Sequence, residues 1–262
     1  MSLHTVSEPP TGVPAPWSAE TMIRFEHVAV RYRVPHERIG SFKEYAIRRL
    51  RGRIDHHDFW ALRDVTLQIQ RAEIFGIIGR NGAGKSTILK VVSRVLHPTQ
   101  GRVSVQGRVA PLLELGAGFH PELTGRENVF LNGALLGRSQ REIKERFDWV
   151  LEFADLGEFI AAPLRTYSSG MVARLGFAVA MAWKPDVLLL DEILAVGDEA
   201  FQRKCRERIA SFCADGTTVL LVTHDLSTLQ TLCRQAAWID QGKVRCVGPS
   251  AAVATAYATW QP

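Results

Sequence analysis

The chain of 262 residues is poor in cysteine and tyrosine, with four of each. It has no apolar run approaching the ~18–20 residues that a membrane-spanning helix requires. Its longest apolar stretches, residues 175–183 and 187–190, fall far short, which excludes an integral membrane protein. Cys205, Cys213, Cys233 and Cys246 lie far apart, form no CxxC pair and have no histidine at ligand spacing. That excludes a disulfide framework and a zinc site and leaves buried free thiols in a reducing compartment. The N-terminus lacks a cationic start followed by an apolar stretch, so it reads as no signal peptide. Its Pro, Ser and Thr content makes residues 1–21 a flexible, cytoplasmic tail. Nor is there a glycine or proline excess of the collagen or low-complexity kind, with 21 Gly and 12 Pro.

What is present is ordinary for a globular chain: 46% hydrophobic and 23% charged residues, in one or two domains at roughly 150 residues each. The net charge of +5 suits nucleic acid, anionic lipid or nucleotide equally, so placement of the charge matters more than its size. Apolar and polar residues alternate over 22–34 and again over 61–70, as in half-exposed strands. Residues 73–78 form a short apolar run ending before glycine, the pattern of a buried strand. A helix is expected over 85–95, with Pro98 and Gly101 closing the connection. The middle reads as helical: Thr124 with Glu127, and Ser139 with Glu142, have capping-box spacing, and a third helix runs from Ser168 or Ser169 to Ala182. Strands are then expected at 187–190, 217–222, 237–239 and 244–247, between helices at 200–214 and 226–233 and a closing helix. Strands alternating with helices predict an α/β fold with a mostly parallel sheet, into which the helical middle is inserted.

The strongest chemical signal is Gly79-Arg80-Asn81-Gly82-Ala83-Gly84-Lys85-Ser86-Thr87, a complete GxxxxGK[ST] between an expected strand and an expected helix. Its glycines let backbone N–H groups curl round phosphates, and the helix N-terminus adds positive potential. Lys85 would reach the β- and γ-phosphates of a nucleotide, and the Ser86 hydroxyl would ligate Mg²⁺. About a hundred residues on, four apolar residues lead into Asp191-Glu192 at the C-terminal end of a strand, where open α/β sheets place ligands. Asp191 would hold Mg²⁺ and Glu192 would polarise the attacking water. Tyr167-Ser168-Ser169-Gly170-Met171 sets two small hydroxyl residues and a glycine at a helix start. Alone this is an ordinary N-cap. Its place between phosphate loop and carboxylate strand makes Ser168, Ser169 and Gly170 candidates for anion binding.

That order of motifs resembles the ATP-binding cassette (ABC) ATPases, with Tyr167–Met171 in the place of the family's LSGGQ signature. The resemblance spans residues 22–249 and implies a P-loop NTPase of ABC type, with an antiparallel β subdomain and a helical subdomain at about 112–182. It implies that ATP and Mg²⁺ are bound and that two cassettes sandwich two ATP molecules, each closed by the other chain's signature helix. It also matches His224 to the switch histidine and Asp198 to the D-loop aspartate. Phe59-Trp60-Ala61-Leu62, the stretch Gly116-Ala117-Gly118-Phe119-His120-Pro121 and Ala195-Val196-Gly197-Asp198 are similar to cassettes that serve O-antigen and teichoic acid exporters. The chain departs from the family at Ser169, where glycine is usual, and at Met171, where glutamine is usual. The Q-loop has no glutamine, and Glu114 is its nearest polar candidate as a Mg²⁺ or water contact. Tyr32 is the candidate adenine-stacking aromatic, with Phe59 and Trp60 as competitors.

Between the first two expected strands, a segment at about 35–58 is rich in arginine and has rough helical spacing of Phe42, Tyr45, Ala46 and Leu50. It could meet anionic lipid, a membrane subunit or only water. No nucleic-acid motif accompanies the charge. The resemblance thus implies an ATPase, a homodimer of cassettes under two copies of a polytopic permease at the cytoplasmic face of the inner membrane. It further implies a lipid-linked polysaccharide as the exported substrate, and no C-terminal carbohydrate-binding domain is expected within these residues. The alternative is a soluble ABC-type ATPase that switches a protein or nucleic-acid interaction.

Overall fold

The computed structural model describes residues 20–35, 56–112, 116–191 and 197–260. Glu114, Glu192, Ala195 and Val196, residues 1–19 and the basic stretch 36–55 lie outside the described residues. Two sheets form the frame. Strands β1 (Thr21–Pro35), β2 (His56–Gln70) and β4 (Gln100–Val105) make an antiparallel sheet in the order β2-β1-β4. The larger sheet has the order β5-β6-β7-β3-β8-β9, built from β3 (Ile74–Ile78), β5 (Val109–Leu112), β6 (Val187–Asp191), β7 (Thr218–Thr223), β8 (Gln235–Asp240) and β9 (Lys243–Pro249). Its neighbours are parallel except β8 and β9, which form an antiparallel hairpin.

Side chains alternate between the two faces of a strand, and here the alternation sorts them into two cores. Val187, Leu189, Leu220, Val222, Phe75 and Ile77 pack with the β1–β2 sheet and with helix α1 (Lys85–Val92). Leu188, Leu190, Val219, Leu221 and Ile78 face the other way. There they meet α5 (Glu199–Ala214), α6 (Leu226–Leu232) and α7 (Ser250–Thr259). Strands buried on both faces have no reason to alternate in hydrophobicity, which is why these segments read as continuous apolar runs.

A third core joins α2 (Gly125–Leu135), α3 (Gln140–Ala154) and α4 (Ser169–Ala180). Both expected capping boxes form. Thr124 Oγ1 accepts from Glu127 N at 3.2 Å while the Glu127 carboxylate accepts from Thr124 N at 2.8 Å, and Ser139 and Glu142 repeat the exchange. Asn128, fully buried, accepts from His120 N at 2.7 Å and donates to the carbonyls of His120, Leu123 and Thr124. A buried amide must be satisfied in this way, and here it pins the Phe119–His120–Pro121 loop onto α2. Helix α4 serves two layers: Leu175, Ala178 and Val179 belong to the helical core, whereas Phe177 belongs to the sheet core.

Several expectations are corrected. β1 starts at Thr21, inside the expected tail, and β2 starts at His56, so 56–58 are strand rather than insertion. The helix expected over 85–95 stops at Val92, where Arg94 takes a left-handed φ of 61°. β4 and β5 have no counterpart in the sequence reading, although Val103 and Val105 alternate with polar neighbours. Both are short and half-exposed, so their patterns carry little apolar contrast. Among the described residues no helix is long and apolar enough to cross a membrane. Phe177→Ala removes a large, fully buried side chain from the joint between layers, and the expected loss is about 3–5 kcal/mol, read by urea unfolding. A loss below about 1 kcal/mol would show that the joint is not held there.

Candidate nucleotide site

Parallel pairing sets the site. Ile78 is paired with Thr223 and Asp191 with Val222, so Gly79, Asp191 and His224 leave three adjacent strands at one edge of the sheet. This is the carboxyl edge of the parallel strands, the place where ligands bind in open α/β sheets.

From β3 the chain turns through residues 79–84 into α1. Gly82 and Gly84 have φ of 80° and 108°, values that L side chains resist. Two glycines are also required by proximity. A Cβ on Gly79 would lie 2.2 Å from the Ile239 carbonyl oxygen, and one on Gly84 would lie 2.6 Å from that of Ala61. The loop is braced from outside by the β8–β9 turn: Gly242 N donates to Ala83 O at 2.9 Å, and Gly242 O accepts from Arg63 N at 2.7 Å. Lys85, only 7% exposed, folds back so that Nζ donates to Gly79 O at 2.7 Å and Arg80 O at 3.2 Å. The N-cap of α1 is Gly84, which offers no side-chain cap, so the first-turn N–H groups face the loop's concavity.

The resulting hollow, about 450 Å³, is lined by Asn81, Gly82, Gly84, Lys85, Ser86 and Thr87 together with Asp191, Ala61, Tyr32 and Phe59. The aromatics come from the β1–β2 sheet, where Tyr32 and Phe59 are cross-strand partners. Arg31 pairs with Trp60 and its guanidinium lies 5.5 Å from that ring, so Trp60 points to the opposite face and does not line the hollow. The structure therefore brings Tyr32 and Phe59 to the phosphate loop and leaves Trp60 outside.

Other candidate residues sit elsewhere. Ser168 caps α4, its hydroxyl accepting from Met171 N at 3.2 Å, and Ser168 and Ser169 are exposed beside a half-buried Gly170. A Cβ on Gly170 would touch little, with Ser168 Oγ 3.8 Å away, so that surface is open to an approaching group. None of the three lines the phosphate-loop hollow. His224 is exposed and borders a separate depression with Arg206, Gln202 and Thr228. Asp225, beside it, caps α6; the Thr228 and Ser227 hydroxyls and their N–H groups hold its carboxyl far below the usual range. Asp198 caps α5 through Phe201 N at 2.8 Å. That N–H, with Arg174 adding to it, lowers its carboxyl pKa.

Sequence reasoning named Ala61 only within the Phe59–Leu62 stretch, and it missed that residue's place in the lining, the Gln241–Gly242 turn and Arg174. Consecutive positive φ values of 48° and 76° mark that turn as the kind tight hairpins need. The polar-Gly pair between two alternating stretches was its visible signal. Gly82→Ala meets open space and should cost only the left-handed penalty of about 1–2 kcal/mol. Gly84→Ala adds a backbone collision and should cost more, measured by thermal unfolding without nucleotide. Equal losses would remove proximity as the reason for Gly84.

Comparison with known proteins gives the same frame. A family model described as ABC transporter matches residues 62–195. The O-antigen export system ATP-binding protein RfbB of Klebsiella pneumoniae is 44% identical over 242 residues, covering 90% of this chain and 97% of that protein. A protein of the same name from Myxococcus xanthus is 48% identical over 220 residues, covering 83% of this chain and 50% of that protein. Among solved structures, a dimeric post-hydrolysis state of the ATP-binding cassette MJ0796 bound to ADP and Pi shares the fold. It has a TM-score of 0.69 at 23% identity, covering 87% of this chain and 99% of that one. The chain belongs to the ABC transporter family, as an ATPase cassette.

Proposed function

We infer that this chain is the ATP-hydrolysing subunit of an exporter that moves a lipid-linked polysaccharide, such as O antigen, across the inner membrane. The observation that carries the nucleotide chemistry is the single hollow where the phosphate loop, Asp191 and two aromatics converge. The name of the Klebsiella relative, matched along nearly its whole length, supports the substrate class. On this reading two copies act as a homodimer beneath two copies of a permease, peripheral to the cytoplasmic face.

Within the hollow, Tyr32 stacks on adenine with Phe59 at its edge, and backbone N–H groups of 79–87 surround the phosphates. Lys85 gives up its two carbonyl contacts for the β- and γ-phosphates; its folded-back pose already points Nζ into the loop. Oxygen donors suit a hard cation: the Ser86 hydroxyl and the Asp191 carboxylate share the lining, and Glu114 is the further candidate. Mg²⁺ takes one or two carboxylates and fills its shell with phosphate and water, so Ser86 and Asp191 suit it. When bound, Mg²⁺ neutralises charge on the phosphates. Glu192, one residue beyond Asp191, orients and deprotonates the attacking water, and His224 holds the γ-phosphate. Ser168, Ser169 and Gly170 close over the nucleotide of the other copy, and Asp198 meets that copy's phosphate loop. Positioning and electrostatics carry the acceleration in phosphoryl transfer, with little covalent work for the protein.

Tyr32→Ala should weaken ATP binding by about 1–3 kcal/mol, roughly 5- to 150-fold, whereas Trp60→Ala should leave it within twofold. Titration with a fluorescent ATP analogue checks this, and the reverse ranking would displace Tyr32 from the site. Glu192→Gln should keep ATP affinity and lose about 10²–10⁴-fold in turnover. Wild-type turnover in that variant would end the base assignment. Held in ATP, the same variant should copurify from native membranes with a polytopic subunit and a lipid-linked glycan. Recovery of soluble partners alone would overturn the export reading and leave the ATPase intact.

A further inference from the structure

Arg174 lies on α4, six residues beyond the cap Ser168, with its side chain only 20% exposed. Its Nη2 donates to Asp198 Oδ2 at 2.5 Å, its Nη1 lies 3.7 Å from Asp155 Oδ2, and its guanidinium stands 5.1 Å from the centre of the Phe201 ring. One cation thus touches the ends of two other helices. Asp198 is the N-cap of α5, and Asp155 is the C-cap of α3, in a left-handed conformation at φ 53°.

Both carboxylates are largely exposed, 60% for Asp198 and 70% for Asp155, so as ion pairs they contribute little to stability. What the contacts fix is direction. Asp198 Oδ1 accepts from Phe201 N and Oδ2 accepts from Arg174, so both oxygens are committed and the carboxylate has one orientation. The guanidinium is itself held by the Phe201 face, and Phe201 packs edge-on against Phe153 and Phe177. Arginine supplies a planar fork and a stacking face together, which lysine does not.

We propose that Arg174 is a positioning residue that locks the start of α5, with Asp198, to the signature end of α4. The two elements then present one rigid surface to the nucleotide bound by the other copy. This rests on the paired-cassette reading above. Neither Arg174 nor its partners line the phosphate-loop hollow, so nucleotide binding by a single chain is outside its reach. Its effect is confined to closure of the pair.

The test uses the full chain carrying Glu192→Gln, with ATP-driven dimerisation followed by analytical ultracentrifugation and single-chain affinity by fluorescent ATP analogue. Adding Arg174→Gln should raise the ATP concentration for half-dimerisation at least tenfold, with single-chain affinity within twofold and the melting temperature shifted by no more than about 3 °C. Adding Arg174→Lys instead should give an intermediate shift, because the charge remains and the fork is lost. Asp155→Ala should shift dimerisation less than twofold. Unchanged dimerisation with Arg174→Gln overturns the proposal while the paired-cassette reading stands. Parallel loss of melting temperature and single-chain affinity also overturns it, in favour of a plain structural role. If the Glu192→Gln chain never dimerises with ATP, the paired-cassette reading falls and takes this one with it.

Discussion

The N-terminus of α1 leaves its backbone N–H groups facing a loop that only glycine can form, and the surrounding structure is arranged to hold that loop still. Burying such a turn against the sheet would be costly if its polar groups had no partners. The Gly242 turn answers part of this from one side by donating to Ala83 O, and Lys85 answers another part by donating to Gly79 O and Arg80 O. These contacts satisfy carbonyl acceptors, whereas the N–H groups at the start of α1 are donors suited to an anion. The loop's carbonyls are thus held from within the chain, so its shape is set by the fold around it.

The same loop explains why the antiparallel sheet sits where it does. Ala61 O approaches both Gly84 and Gly242 so closely that neither position has room for a side chain. That approach ties β2 to the phosphate loop and to the β8–β9 turn at once, and it places the Tyr32–Phe59 pair at the rim of the hollow. Strand alternation does the rest: with Phe59 facing the hollow, Trp60 must face away. The exclusion of Trp60 follows from the parity of one strand.

Much of this was legible in the sequence. The phosphate loop, the apolar strand before Asp191 and both capping boxes depend on residues within a few positions of one another, and local patterns report local structure well. Antiparallel pairing of β4 with β1 was not legible, because it joins segments some 80 residues apart through a strand whose side chains are half-exposed. Arg174 was invisible for a related reason. An arginine on a helix that is otherwise apolar reads as a solvated charge until Asp155 and Asp198 are brought to it from other elements.

Separation of the two halves of the chemistry is the last consequence of the fold. The phosphate-loop hollow has donors, a carboxylate and aromatics, but Ser168, Ser169 and Gly170 are not in its lining. They start a helix whose buried faces are committed to two cores, so α4 cannot swing towards its own hollow without breaking both. Packed interiors resist such intermediate displacements. Among the described residues, the exposed Ser168 end of α4, with open space over Gly170, is turned to groups other than those of its own hollow. In the proposed pair of cassettes, a second copy would offer such a group in the phosphates of its own nucleotide. On the paired-cassette reading proposed above, ATP would be part of the interface, and its hydrolysis would remove the contact that keeps the two copies closed.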